Sequence, residues 1–129
     1  MKAILDTHVF LWWLTDDPRL LGQVRRIIAD GENELFLSAA SCWEISIKYQ
    51  LKRLTLPDKP DVFISDQMAE NAIRGLPILA SHALHVFHLP RLHRDPFDRM
   101  IVSQSRLERL PVMTSDPLIS QYKVPIIWK

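Results

Sequence analysis

The sequence predicts an α/β fold, with a central, mainly parallel sheet and helices on both of its faces, hence three layers. Two observations carry this expectation. Short apolar runs of strand length alternate along the chain with segments of helical periodicity. Those runs are apolar throughout instead of alternating with polar residues, as strands buried on both faces are. A third observation bounds the size: 129 residues with 47% apolar and 24% charged side chains suit one packed core and exclude a disordered chain. Residues 1–129 read as a single domain, without internal repeat, low-complexity stretch or linker.

Each element has its own signal. Ala3, Ile4 and Leu5 form the first strand, and Asp6 and Thr7 close it. Residues 9–14 are the longest strictly apolar run and read as a short buried helix, far short of the ~20 residues that span a bilayer. Asp17-Pro18 is a cap followed by proline at the first helical position, and Leu20, Val24, Ile27 and Ile28 give that helix its stripe until Asp30-Gly31. Leu35, Phe36 and Leu37 form the second strand. Ser38 to Ser41 then cap a helix on which Trp43, Ile47, Leu51 and Leu54 recur at helical spacing, so it runs to about Leu54. Pro57 marks a loop, and Pro60 opens another helix ending near Gly75. Residues 76–79 are the third strand, weakened by Pro77. Residues 81–89 form a short helix. Asp95-Pro96 repeats the cap-plus-proline start, for a helix to about Arg109. Residues 111–114 are a strand, 117–122 a helical turn, and 124–128 the last strand.

Composition excludes several classes. The 16 basic and 15 acidic residues nearly cancel, so the chain is no polycation that holds nucleic acid or anionic lipid by bulk charge. The three glycines, Gly22, Gly31 and Gly75, leave no room for a glycine-rich phosphate loop, and GxGxxG, GxxxxGK[ST] and GxSxG are all absent. A single cysteine, Cys42, forms neither an internal disulfide nor a multi-thiolate zinc site and reads as a small buried residue. Met1-Lys2 leads straight into the first strand without a signal-peptide layout, so a cytoplasmic protein without membrane association is expected.

The acids are placed less evenly than they are counted. In open parallel sheets, ligands bind outside the carboxyl ends of the strands. Asp6 follows the first strand, Glu44 lies early on the helix after the second, and Asp116 follows Val112 and Met113. Asp98 sits in the first turn of the helix leading into that same strand. Converging carboxylates oppose each other's ionisation, and a divalent cation resolves the repulsion. All-oxygen ligation suits Mg²⁺ or Mn²⁺ better than zinc. The hydroxyls of Thr7, Thr114 and Ser115 stand beside these acids to hold carboxylates or metal-bound waters. Such metals serve phosphodiester hydrolysis, so a metal-dependent hydrolase is the expectation. Each acid also has a local alternative. Asp95 caps its helix and Asp98 suits the N3 position, Glu44 and Lys48 are spaced for an i, i+4 ion pair, and Asp116-Pro117 caps a turn. Asp6 has no such plain alternative.

The segments ILDTHVFLWWL, SAASCWEISIK, HRDPFDRMIVSQS and VMTSD, in this order, resemble the PIN-domain ribonucleases, and among them the VapC-type toxins of bacterial toxin–antitoxin pairs. The resemblance covers essentially the whole chain. It implies an α/β/α sandwich, a Mg²⁺- or Mn²⁺-dependent endoribonuclease, a cognate antitoxin and usually a homodimer. Carried over by motif, the catalytic, metal-holding acids are Asp6 in LDTH, Glu44 in WEIS, Asp98 in DPFDR and Asp116 in TSD, with Thr114 as hydroxyl neighbour. Asp95 looks like the cap of the third motif. The mechanism implied is in-line hydrolysis by metal-activated water, leaving 5′-phosphate and 3′-hydroxyl ends. An RNA-processing or DNA-directed PIN nuclease outside a toxin pair, and an inactive PIN-like binding module, remain alternative readings.

Residues 91–109 hold five arginines against Asp95, Asp98 and Glu108, and Lys48, Lys52 and Arg53 stand against Glu44. A basic rim around an acidic pocket suits a reader of phosphates, with Arg94, Arg99 and Lys48 as expected substrate contacts. His8 and His93 flank the expected pocket. His82, His85 and His88 read as a solvated polar face opposite a buried Leu84 and Phe87. Trp12, Trp13, Tyr49, Phe63 and Met68 read mostly as core, with a dimer contact or an antitoxin groove as the alternative.

Overall fold

The computed structural model describes residues 1–128. Its strands are β1 (Lys2–Leu5), β2 (Glu34–Ser38), β3 (Ile73–Leu76), β4 (Val112–Met113) and β5 (Ile126–Ile127), all parallel, in the spatial order β3-β2-β1-β4-β5. The mainly parallel sheet of the sequence reading is therefore wholly parallel among the described residues.

β1 runs down the middle and is covered on both faces. Side chains alternate across a strand, so Ala3 and Leu5 enter one core and Ile4 the other. The first core is roofed by α1 (Thr7–Leu14), α2 (Gly22–Ala29), α3 (Ala39–Gln50) and α4 (Pro60–Glu70), through Phe10, Val24, Ile45 and Ile64. The second is covered by α6 (Pro96–Glu108) and α7 (Pro117–Ser120), through Ile101, Val102 and Ile119. Three layers follow. Trp12, Trp13, Phe63, Met68 and Cys42 pack half-buried on the first core, and Tyr49 is likewise half-buried. Among the described residues no helix is long and apolar enough to cross a membrane.

Chain order places the site. From central β1 the chain adds β2 and then β3 on one side, returns, and adds β4 and β5 on the other. Loops leaving β1 and β4 thus diverge at their carboxyl ends and open a crevice between neighbouring strands.

Several elements differ from expectation, each for a physical reason. β3 covers 73–76 instead of 76–79, pairing Leu35 with Ile73 and Ser38 with Leu76. Pro77 has no amide to give a ladder and follows the strand. The preceding helix accordingly stops at Glu70, and Ala72 turns the chain at φ 53°. α3 ends at Gln50 instead of near Leu54, where Lys52 reverses the chain at φ 59°. Asp17-Pro18 makes a turn whose carboxylate holds the Arg19 amide at 2.9 Å, and the helix starts later, at Gly22. The last strand shortens to Ile126 and Ile127 after Pro125.

The expected histidine face is inverted in large part on α5 (Ala80–His85) and the 3₁₀ turn Val86–His88, where His88 is exposed as expected and His85 is half-buried. His82 is buried, while Leu84 and Phe87 are 75% and 88% exposed. The Leu79 amide donates to His82 Nδ1 at 3.0 Å, and Ser103 Oγ donates to the His82 carbonyl at 2.6 Å. These two bonds roll the helix so that its histidine faces α6.

Candidate active site

Asp6 stands where β1 becomes α1, in the N-cap position, yet its carboxylate makes no capping hydrogen bond. It is 3% exposed and accepts instead from Thr114 Oγ1 at 2.7 Å. Thr114 Oγ1 in turn accepts from the Asp116 amide at 3.0 Å. One hydroxyl therefore joins the ends of β1 and β4 across the crevice. Burial pushes the Asp6 carboxyl up, against the Thr114 hydrogen bond, and Asp116 adds to the rise.

Asp98 approaches from the first turn of α6. Asp95 caps that helix, accepting from the amides of Phe97 and Asp98 at 2.9 and 3.0 Å. The Asp98 carboxyl is pushed up to about 6, first by burial, then by Asp95, with Asp6 and Asp116 adding to it. His93 opposes the rise, its Nε2 lying 3.2 Å from Asp98 Oδ2 and its Nδ1 2.7 Å from Tyr122 Oη. Asp116 caps α7, accepting from the Leu118 amide at 2.9 Å, and is half-buried.

Asp6, Asp98 and Asp116 thus share one electrostatic neighbourhood, although they lie far apart in sequence. Among the described residues no Lys or Arg pairs with any of them. Glu44 is different. Its carboxylate is 7% exposed and already paired with Lys48 at 2.8 Å, the i, i+4 alternative open in the sequence. Among the described residues, no three His, Cys, Asp or Glu side chains are drawn closely enough together to hold an ion as they stand. Donor chemistry nevertheless fits a hard divalent cation. The acids are all-oxygen donors, Asp6 and Asp116 add to the rise at Asp98, and no lysine or arginine pairs with these three among the described residues.

The hydroxyl neighbours divide. Thr114 holds Asp6, whereas Thr7 Oγ1 donates to Ser41 Oγ at 2.7 Å and ties α1 to the turn of α3 that carries Glu44. Ser115 is exposed. Among the basic residues, Arg94 is exposed and lines a cleft of about 520 Å³ with Arg91, Leu92, His93 and Arg99. Arg99 is occupied: its Nη1 donates to the Pro90 carbonyl at 2.8 Å and to Tyr122 Oη at 3.0 Å. Its evident work is to hold segment 90–93 beside Asp98. Tyr122, buried and gripping both His93 and Arg99, is the residue sequence reasoning missed. No local spacing announces it, because its partners arrive only through tertiary packing.

Comparison with known proteins adds the following. The family model described as the PIN domain matches residues 3–125. The chain is similar to Ribonuclease VapC16 of Mycobacterium tuberculosis, 35% identical over 72 residues, which make up 53% of this chain and 51% of that relative. It therefore spans about half the length of the curated relative it matches. Among solved structures, VapBC2 from Rickettsia felis, bound to a promoter DNA fragment, matches with TM-score 0.74 and 13% identity, covering 100% of both chains. DNA-bound VapBC from Salmonella typhimurium matches at 0.68 with 15% identity, over 100% of this chain and 99% of that one. VapBC-1 from nontypeable Haemophilus influenzae matches at 0.65 with 14% identity, over 98% and 97%. At such identities the likeness is one of fold.

Proposed function

The chain belongs to the PIN-domain family, and from that premise we propose that it is a divalent-metal-dependent endoribonuclease, the toxin of a toxin–antitoxin pair. The observation that carries this reading is the group of Asp6, Asp98 and Asp116 at the carboxyl ends of β1 and β4, none of them paired with a lysine or arginine among the described residues. We assign these three acids, with Glu44, as ligands of Mg²⁺ or Mn²⁺. A bound ion would supply activation of water and neutralisation of charge at the scissile phosphodiester.

The protein's own residues prepare for this. Thr114 donates to Asp6 and so keeps one carboxylate oxygen oriented and the group ionisable despite its burial. Asp95 holds the first turn of α6, and His93 with Tyr122 braces the Asp98 carboxylate from the other side. Lys48 holds Glu44 and is assigned, with Arg94, to the phosphates of the RNA. Arg99 acts through segment 90–93, which it pins.

We assign the protein to the cytoplasm as a homodimer restrained by an antitoxin. A pocket of about 320 Å³ beside α1, lined in part by Leu11, Trp12, Leu54, Leu56 and Phe63, supports an apolar protein segment as that partner. The nuclease reading is tested by incubating the purified chain with RNA in Mg²⁺ or Mn²⁺ and mapping the ends produced. Wild type is expected to leave 5′-phosphate and 3′-hydroxyl ends, with no cleavage in EDTA or by Asp6→Asn. Metal-dependent cleavage retained by Asp6→Asn would overturn the assignment.

A further inference from the structure

Trp43 is 61% exposed, an unusual position for the largest apolar side chain on a helix that buries Ala40, Ser41, Glu44 and Ile45. Its indole meets the Phe97 ring edge-on, with centroids 5.3 Å apart and planes at 83°. Each ring is the immediate sequence neighbour of a site acid, Trp43 of Glu44 and Phe97 of Asp98. The pair is firmly seated. α3 and α6 pack against each other, Ser38 Oγ donates to Gln104 Oε1 at 2.5 Å between them, and the Phe97 amide is held by the Asp95 cap.

We propose that Trp43, braced by Phe97, is a stacking platform for one unpaired nucleobase of an RNA strand whose phosphates lie along the Arg91–Arg94 cleft. This rests on the nuclease reading and names how that site selects its substrate. An exposed aromatic face next to cations is the combination that binds single strands, because every base offers a π-face and every linkage a charge. Arg91 and Arg94 are exposed and border the segment that leads into α6. The surroundings of Trp43 argue against an apolar protein segment as occupant. The exposed stripe of α3 otherwise consists of Ala39, Ser46 and Gln50, so on that helix the indole is the one large exposed apolar side chain beside small and polar residues. A base paired in a duplex keeps its faces stacked and offers nothing to such a platform.

The test is fluorescence anisotropy with a labelled single-stranded RNA oligomer, titrated with the full chain in EDTA so that nothing is cut. An abasic ribose-phosphate strand of equal length serves as comparison. Trp43→Leu is expected to weaken RNA binding about 5- to 150-fold, the range of one stacked base. Trp43→Tyr, which keeps a ring, should stay near wild type, and both variants should bind the abasic strand as wild type does. Because the indole is mostly exposed, melting temperatures should fall by a few degrees at most, the share of its edge-on contact with Phe97. Unchanged RNA affinity in Trp43→Leu would overturn the proposal and leave this face to a protein partner. An equal loss on the abasic strand, or no RNA binding by wild type, would overturn it as well. Trp43-dependent binding without any cleavage in Mg²⁺ or Mn²⁺ would sink the nuclease reading and leave the platform standing.

Discussion

At Asp98, burial and three neighbouring carboxylates all favour the protonated acid, and only His93 resists them. The native group titrates at about 6, against 3.8 for a free aspartate, so the folded chain holds a proton through a range where the unfolded chain has released it. The Asp98 contribution to the stability of the metal-free protein therefore falls as pH rises from about 4 to about 6, and is level above. Asp98→Asn removes the Asp98 share of this dependence and leaves that of Asp6, which burial also pushes up. Because the group is partly exposed, the variant should be more stable at pH 7 by only ~1–2 kcal/mol, and equal to wild type near pH 4. Denaturant titrations in EDTA across that range check it, and a variant no more stable than wild type at pH 7 would contradict it. Asp6 was the acid most legible in the sequence, since an aspartate ending a buried strand has no competing duty, and its carboxylate indeed caps nothing. Glu44 was half legible. Its spacing from Lys48 allowed a helix ion pair as readily as a ligand, and only the fold shows that this pair forms at a buried acid.

The elements owe their ends to residues that the sequence displays openly, and their phases to contacts it does not. Asp95-Pro96 reads at once as a helix start, and Asp95 does cap α6 with two amides. Asp95→Ala should be less stable than Asp95→Asn by about 1 kcal/mol, since both lack the charge and only asparagine keeps an acceptor. Urea denaturation measures that difference directly. Equal stabilities would mean that the start of α6 is held by packing alone. The third strand was less legible. The apolar run at 76–79 looks more like a strand than Ile73-Arg74-Gly75-Leu76, but parallel pairing with β2 needs amides, and Pro77 has none. The face of α5 escaped for the same kind of reason. Leu84 and Phe87 outrank His82 in hydrophobicity, yet a hydrogen bond from the Leu79 amide decides which of them turns inward.

The whole molecule decides what its parts mean. Asp6, Asp98 and Asp116 share one neighbourhood because β4 returns to lie beside β1. That much was legible: alternating strands and helices imply a parallel sheet, and a parallel sheet has a crevice where its winding reverses. The bracing of the crevice by His93, Arg99 and Tyr122 was not, because it joins the segment before α6 to the turn after α7. The near-neutral charge of the chain hides a local group of carboxylates, Asp6, Asp98 and Asp116, with which no lysine or arginine pairs among the described residues. The central claim, that this group is a divalent-cation site, is tested most directly by calorimetric titration of the purified chain with Mn²⁺. The account predicts saturable binding by wild type and its loss in both Asp6→Asn and Asp98→Asn, each still folded. Undiminished binding in either variant, or no binding by wild type, would contradict it.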